Sequence, residues 1–288
     1  MKESQSTYVP VRGLDYHCRT WGDRQSPCLF LLHGFQDLSA SWQFTVDALA
    51  REWYVVAPDW RGYGLTSGGG ADTFWFPDLV ADLDVILDHF EPEFPARVVG
   101  HSMGGNTASI YAGATPQRIA KFVNVEGLGA GNTPIEEAPR RYARWLQQLA
   151  RVPRQRPYMD MRDFAERMIS ENPRLTPERA MFLVEHLGEE DSDGTVNRRA
   201  EPAQMYVKPN MFRVDEAMAC WRKIEAPVLW VEGAESRFIN NMRGEVYGYE
   251  DRLNAFQTLT DVVRVEGAGH NIHHDQPEEL ASIIESFM

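Results

Sequence analysis

Ser102 lies in Gly100-His101-Ser102-Met103-Gly104-Gly105, directly after the apolar pair Val98-Val99 and before Asn106–Ala112, which reads as a helix. Gly-x-Ser-x-Gly at the junction of a strand and a helix is a pattern that holds a serine on a tight, strained turn. Its neighbours must be nearly free of side chain. Gly100 and Gly104 supply that room, and Gly105 lets the helix pack close to the strand. The serine would project from the carboxyl edge of a sheet, with the Met103 amide pointing to where an oxyanion would form. A serine hydroxyl is a poor nucleophile at neutral pH and needs an adjacent base. His270 is the best-placed histidine: it ends the turn Gly267-Ala268-Gly269-His270 after an apolar run and lies near the chain end.

An imidazole base needs a carboxylate to fix its tautomer and stabilise the imidazolium. Two strand ends offer one, Glu126 in Asn124-Val125-Glu126-Gly127 and Glu235 in Val231-Glu232-Gly233-Ala234-Glu235-Ser236. Glu232, on or at the end of its strand, is less able to reach His270. His33-Gly34-Phe35 follows the first buried run, and Gly34 permits a turn that aims the Phe35 amide at the point faced by the Met103 amide. His33 and His101 read as structural supports. Trp42 and Trp60, after strand ends, are candidate lining for a substrate pocket. His273, His274 and Asp275 form a short donor-rich run, but no second ligand cluster with recognisable spacing accompanies it, so no metal is assigned. Both histidines are expected on a partly exposed loop or helix start.

The elements that must position these residues follow a regular alternation. Tyr8–Trp21 suggests an edge hairpin turning at Gly13-Leu14. Pro27–Leu32 and Tyr54–Ala57 are short apolar runs, as expected of strands buried on both faces, and Phe122–Val125, Ala226–Gly233 and Val262–Val265 read as further strands. Helical spacing runs through Ser41–Arg51, Phe76–Phe90 and Pro277–Phe287. Strand and helix in alternation predict an α/β fold with a doubly wound, mostly parallel sheet. From about Gly129 to Lys223 the texture changes to charged, helix-forming sequence, with helices predicted over Ala138–Leu149, Met161–Glu171 and Thr176–Leu187, and an acidic loop over Gly188–Gly194. The expected organisation is a core of residues 1–128 and 224–288 with a helical cap inserted at 129–223. Its Met159, Met161, Met168, Met181, Phe182, Met205, Tyr206, Met211 and Phe212 supply mainly a small core of its own. Arg198 and Arg199 read as a solvated face, with an anionic acyl group as the alternative.

At 288 residues and 43% hydrophobic content the chain can bury a large core. A net charge of -13 argues against nucleic acid and anionic membrane surfaces as partners. Three dispersed cysteines fit neither a disulfide framework nor a zinc ribbon. No apolar run follows Met1-Lys2-Glu3-Ser4-Gln5 and none is long enough to span a membrane, so a cytoplasmic protein without a signal peptide is expected.

His33-Gly34-Phe35, Asp59-x-Arg61-Gly62-x-Gly64, Gly100-x-Ser102-x-Gly104 and Gly269-His270, in this order and spacing, resemble the α/β-hydrolase fold family in its capped, cofactor-free branch. The resemblance implies an inserted helical cap, no metal or organic cofactor, and a small-molecule ester substrate; a homo-oligomer is compatible with it. In that family the acid usually follows the later strand, where this chain has Ser236. Some members, including haloalkane dehalogenases, take it from the strand after the nucleophile helix, which Glu126 matches. Dehalogenases and epoxide hydrolases use an aspartate nucleophile, and Ser102 departs from them. The expectation is a serine hydrolase of a small or medium carboxylic ester, with Ser102, His270 and Glu126 as triad, Glu235 as alternative acid, and the Phe35 and Met103 amides as oxyanion hole. Hydrolysis of a C–C bond, lactone or thioester, or ligand binding without catalysis, are the alternatives.

Overall fold

The computed structural model describes residues 1–151, 156–242 and 247–288. Eight strands form one sheet: β1 (Ser4–Val11), β2 (Leu14–Trp21), β3 (Cys28–Leu32), β4 (Tyr54–Pro58), β5 (Ala96–His101), β6 (Ile119–Val125), β9 (Val228–Gly233) and β10 (Leu259–Val265). Their order is β1-β2-β4-β3-β5-β6-β9-β10. The hairpin β1–β2 is antiparallel and joins β4 antiparallel; all other pairings are parallel. Every residue of β3, β4 and β9 is buried, and these strands read as apolar runs but for Glu232 near the end of β9.

Alternate residues along each strand feed the two faces. Phe30, Leu32, Val56 and Val98 face α2 (Phe76–Phe90) and α3 (Met103–Ala114), while Leu29, Leu31, Val55 and Val99 face α1 (Gln43–Ala48) and the terminal helix α11 (Pro277–Phe287). The chain leaves β3 toward β4 on one side and returns to β5 on the other, so the carboxyl ends of β3 and β5 flank a topological switch point. In open α/β sheets that crevice is where ligands bind.

Between β6 and β9 the chain forms α4 (Ala138–Ala150), α5 (Met161–Glu171), α6 (Pro177–Leu187), the short pair β7 (Gly188–Glu190) and β8 (Val196–Arg198), and α7 (Val214–Trp221). The Asp160 and Thr176 side chains cap α5 and α6 by accepting from Asp163 N–H and Arg179 N–H. Phe164, Leu183 and Val184 form a cluster with Leu38 and Ala40 from the loop after β3, which ties these helices to the sheet edge. Met161, Met168 and Phe182 pack on it, whereas Met159, Met181 and Met205 are exposed. Helix α7 instead shares the main core cluster with α3.

The acidic stretch expected as a loop is in part a hairpin. Glu189 and Glu190 pair with Asn197 and Val196, and Gly194 turns the chain at φ 84°. Two three-residue strands of mostly polar residues carry no apolar alternation, so the sequence pattern does not reveal them. Among the described residues no helix is long and apolar enough to cross a membrane.

Candidate active site

Ser102 caps α3 with φ 50° and ψ -112°, a left-handed conformation unusual for a side-chain-bearing residue. Two backbone hydrogen bonds hold it there: its N–H donates to Val125 O at 2.8 Å, and its carbonyl accepts from Asn106 N–H at 2.9 Å. The turn is closed so tightly that a Cβ on Gly104 would lie 2.4 Å from Leu32 O, and one on Gly100 2.6 Å from Gly105 Cα. The flanking glycines are therefore a packing requirement, as their spacing implies.

From this turn Ser102 Oγ reaches His270 Nε2 at 2.9 Å, and His270 Nδ1 reaches Glu126 Oε2 at 2.5 Å. Glu126 stands at the end of β6 with φ 56° and no solvent exposure. Its charge is met by three donors: Oε1 accepts from Gly233 N–H at 2.8 Å, and Oε2 accepts from Ser236 Oγ at 2.7 Å as well as from His270. A buried carboxylate needs this degree of satisfaction. Ser236 thus occupies the strand-end position where the sequence resemblance led one to look for an acid, and it donates to the acid on the neighbouring strand. The sequence reading missed this hydroxyl. The signal for it was a serine at the end of β9 beside an isolated carboxylate at the end of β6, and it becomes legible only once β6 and β9 are known to pair.

The alternative acid is elsewhere: Glu235 is half exposed and ion-paired with Arg174. Glu232 is buried and accepts from Trp230 Nε1 and from the Tyr249 hydroxyl. Neither of the two is hydrogen-bonded to His270.

Phe35 and Met103 both line the cavity beside Ser102, and among the described residues neither backbone N–H donates to a protein acceptor. His33 braces the Phe35 turn. Its Nδ1–H donates to Gly34 O at 2.7 Å, and its Nε2 accepts from Trp60 N–H at 2.9 Å. His101 Nε2–H donates to the carbonyl of His270 at 2.9 Å, fixing the backbone that carries the imidazole. Burial lowers both His33 and His101 below the ordinary histidine range and keeps them neutral hydrogen-bonding props.

Two expectations need correction. Trp42 and Trp60 do not line the pocket, because both are fully buried. Trp60 Nε1 donates to His33 O at 2.9 Å, and Trp42 packs on the His273 ring at 4.7 Å. They support the loops around the site from beneath. His273 and His274 are also buried, in the short helix α10 (Ile272–Asp275). Their carboxylate neighbour is Asp37, 3.0 Å from His273 Nε2, while Asp275 accepts from Gly269 N–H and Asn172. Burial alone would raise Asp37, but the His273 hydrogen bond holds it well below the carboxylate range. Asp37, His273 and His274 offer donor atoms within 4.8 Å of one another; His273 is already hydrogen-bonded to Asp37 and packed on Trp42 and His101, a structural role behind His270.

A cavity of about 1040 Å³ opens at Ser102. Its walls are chiefly apolar, with Phe74 in the loop before α2, Phe76 at its start, Ile110 on α3, and Met211 and Phe212 from the chain leading into α7. Arg198 and Arg199 lie away from it, donating to Gln36 O and Gly188 O.

A family model described as alpha/beta hydrolase fold matches residues 27–277. A serine hydrolase-like protein of Danio rerio is 25% identical over 298 residues, covering 100% of this chain and 90% of that protein. Epoxide hydrolase B of Mycobacterium tuberculosis is 39% identical over 115 residues, 39% of this chain and 32% of that enzyme. Among solved structures, a thioesterase domain from the curacin biosynthetic pathway superposes with a TM-score of 0.86 at 22% identity, covering 98% of this chain and 99% of that one.

Proposed function

We propose, for a chain that belongs to the alpha/beta hydrolase fold family, that it is a serine hydrolase cleaving a small or medium carboxylic ester through an acyl-enzyme on Ser102. The observation that carries this reading is the unbroken relay from Ser102 Oγ through His270 to the buried Glu126, opening on an apolar cavity. His270 Nε2 takes the proton as Ser102 Oγ attacks the ester carbonyl, while Glu126 holds Nδ1–H and stabilises the imidazolium. The amides of Phe35 and Met103 meet the oxyanion. The imidazolium then protonates the departing alcohol, and the same base activates a water that releases the acid from Ser102. A serine in this position argues against the aspartate chemistry of epoxide hydrolysis. Residues 129–223 act as a lid over the core of residues 1–128 and 224–288; support comes from Met211 and Phe212, which share cavity walls with Ser102.

The test is a p-nitrophenyl ester series from acetate to long-chain acyl, with a thioester and a lactone alongside. Saturable ester turnover with an optimum set by acyl length is expected. Absence of turnover on every substrate, together with no labelling of Ser102 by a fluorophosphonate, would overturn the reading.

The choice of acid has its own expected outcome. Ser236→Ala removes one of three donors to Glu126 and should lower kcat/KM about tenfold, the worth of a hydrogen bond to a charged group. Glu235→Gln should change it less than about twofold, as expected for a half-exposed ion pair. The reverse ranking in steady-state assays would move the acid to Glu235.

A further inference from the structure

We infer that the cavity holds a second recognition site, formed by Arg141 and Lys208, for a carboxylate carried on the acyl chain of the substrate. It builds on the hydrolase reading above and names the substrate class: esters whose acyl group is an apolar chain ending in an anion, such as monoesters of dicarboxylic acids.

Among the described residues four cationic side chains reach the cavity wall: Arg61, Arg141, Lys208 and Arg213. Two are already neutralised within the protein. Arg61 donates to both oxygens of Asp82 at 2.5 and 2.6 Å, and Arg213 pairs with Asp215 at 3.0 Å. Arg141 and Lys208 have no carboxylate partner among the described residues. They are neighbours, since an Arg141 terminal nitrogen, Nη2, donates to the Lys208 carbonyl at 2.9 Å.

Both have donors to spare. The Lys208 ammonium, with three N–H groups, donates to the carbonyls of Ala203 at 3.3 Å and Gln204 at 3.2 Å, leaving the third without an acceptor among the described residues. It also lies 5.8 Å from the centre of the Phe74 ring, itself a cavity wall. Arg141 Nε is buried and has no acceptor among the described residues. The acids on the same wall have other engagements or lie at the surface: Glu126 holds His270, Asp84 accepts from the Tyr111 hydroxyl at 2.8 Å, and Glu216 is exposed.

Partly buried cations without an internal counterion are costly to keep. Burial alone brings Lys208 down to about 8, which still leaves the ammonium predominant at neutral pH. A substrate carboxylate would satisfy the free guanidinium and ammonium donors at once, and the planar guanidinium suits a carboxylate geometrically. The Phe74, Phe76, Ile110, Met211 and Phe212 surfaces supply an apolar wall for the intervening methylenes.

The experiment compares p-nitrophenyl monoesters of dicarboxylic acids, from succinate to sebacate, with neutral acyl esters of equal length. The readout is the ratio of kcat/KM for the charged over the neutral ester. Wild type should favour the charged ester by about tenfold or more at one chain length, the worth of a charge-assisted hydrogen bond. The ratio should fall to near one in Arg141→Met and in Lys208→Met, and recover in part in Lys208→Arg, with thermal melts confirming that each variant is folded. A ratio near one at every length in wild type, or a preference that survives both methionine substitutions, would overturn the inference. Calorimetric titration of Ser102→Ala with suberate against octanoate separates this claim from the hydrolase reading. Suberate binding to Ser102→Ala that is lost on adding Lys208→Met, alongside a wild type that cleaves no ester, would keep the subsite and remove the hydrolase. Ester cleavage without preferential suberate binding would do the opposite.

Discussion

Ser102→Ala should lower kcat on the best p-nitrophenyl ester by about a millionfold, the loss found when the nucleophile of a serine triad is removed. The hydroxyl is the one group in the relay that can form a covalent bond to the acyl carbon, since His270 approaches from behind it and Glu126 is fully buried beyond the imidazole. Residual rate would come from the Phe35 and Met103 amides and from binding in the cavity. Stability should be almost unchanged, because alanine keeps both backbone hydrogen bonds of residue 102 and the positive φ is a strain that serine already bears. Retention of more than about a thousandth of wild-type kcat, well above what substrate binding and oxyanion contacts alone provide, would mean that another group initiates the reaction.

Glu126→Gln should lower kcat about ten-thousandfold, and the local hydrogen bonds say why. The oxygen that accepts from Gly233 N–H must remain an oxygen, because a backbone amide can only donate. The new NH₂ is thereby forced into the other position, facing Ser236 Oγ and His270 Nδ1. The serine hydroxyl can rotate to accept. The imidazole can accept at Nδ1 only by moving its proton to Nε2, which then faces Ser102 Oγ as a donor and is no longer a base. The side chain keeps its shape, so KM and the melting temperature should change little while kcat falls. A kcat within tenfold of wild type would contradict the assignment of Glu126 as the partner of His270.

The Ser102 turn was legible because a serine held at positive φ between a strand and a helix imposes steric demands that only glycine meets, and Gly100 and Gly104 record those demands directly. Helices α2 and α11 were legible to the residue, since both open with an N-terminal proline and carry a regular apolar stripe. The proposed acid was legible only as a choice. Glu126 and Glu235 both follow apolar runs, and the strand pairing β6–β9, with Ser236 and Gly233 donating across it, distinguishes them. The tryptophans misled because position after a strand does not determine which way a side chain turns. Trp60 is drawn inward by the two hydrogen bonds it donates to His33, and Trp42 by its packing on His273. The histidines of α10 misled for a related reason: polar residues were read as exposed, but Asp37, distant in sequence, satisfies His273 in the interior. Of the cavity cations only Arg213 has its partner close by in sequence, at Asp215; that Arg61 meets Asp82 while Arg141 and Lys208 meet no carboxylate among the described residues depends on contacts distant in sequence.

The most direct measurement is rapid quenching of the reaction with a p-nitrophenyl ester in the first turnovers, followed by intact-mass and peptide analysis. An enzyme heavier by one acyl group, with the adduct on Ser102, formed together with a burst of p-nitrophenol and absent in Ser102→Ala, is the predicted result. Turnover of the same ester that survives Ser102→Ala with no adduct on Ser102, or an acyl group found on another residue, would contradict it.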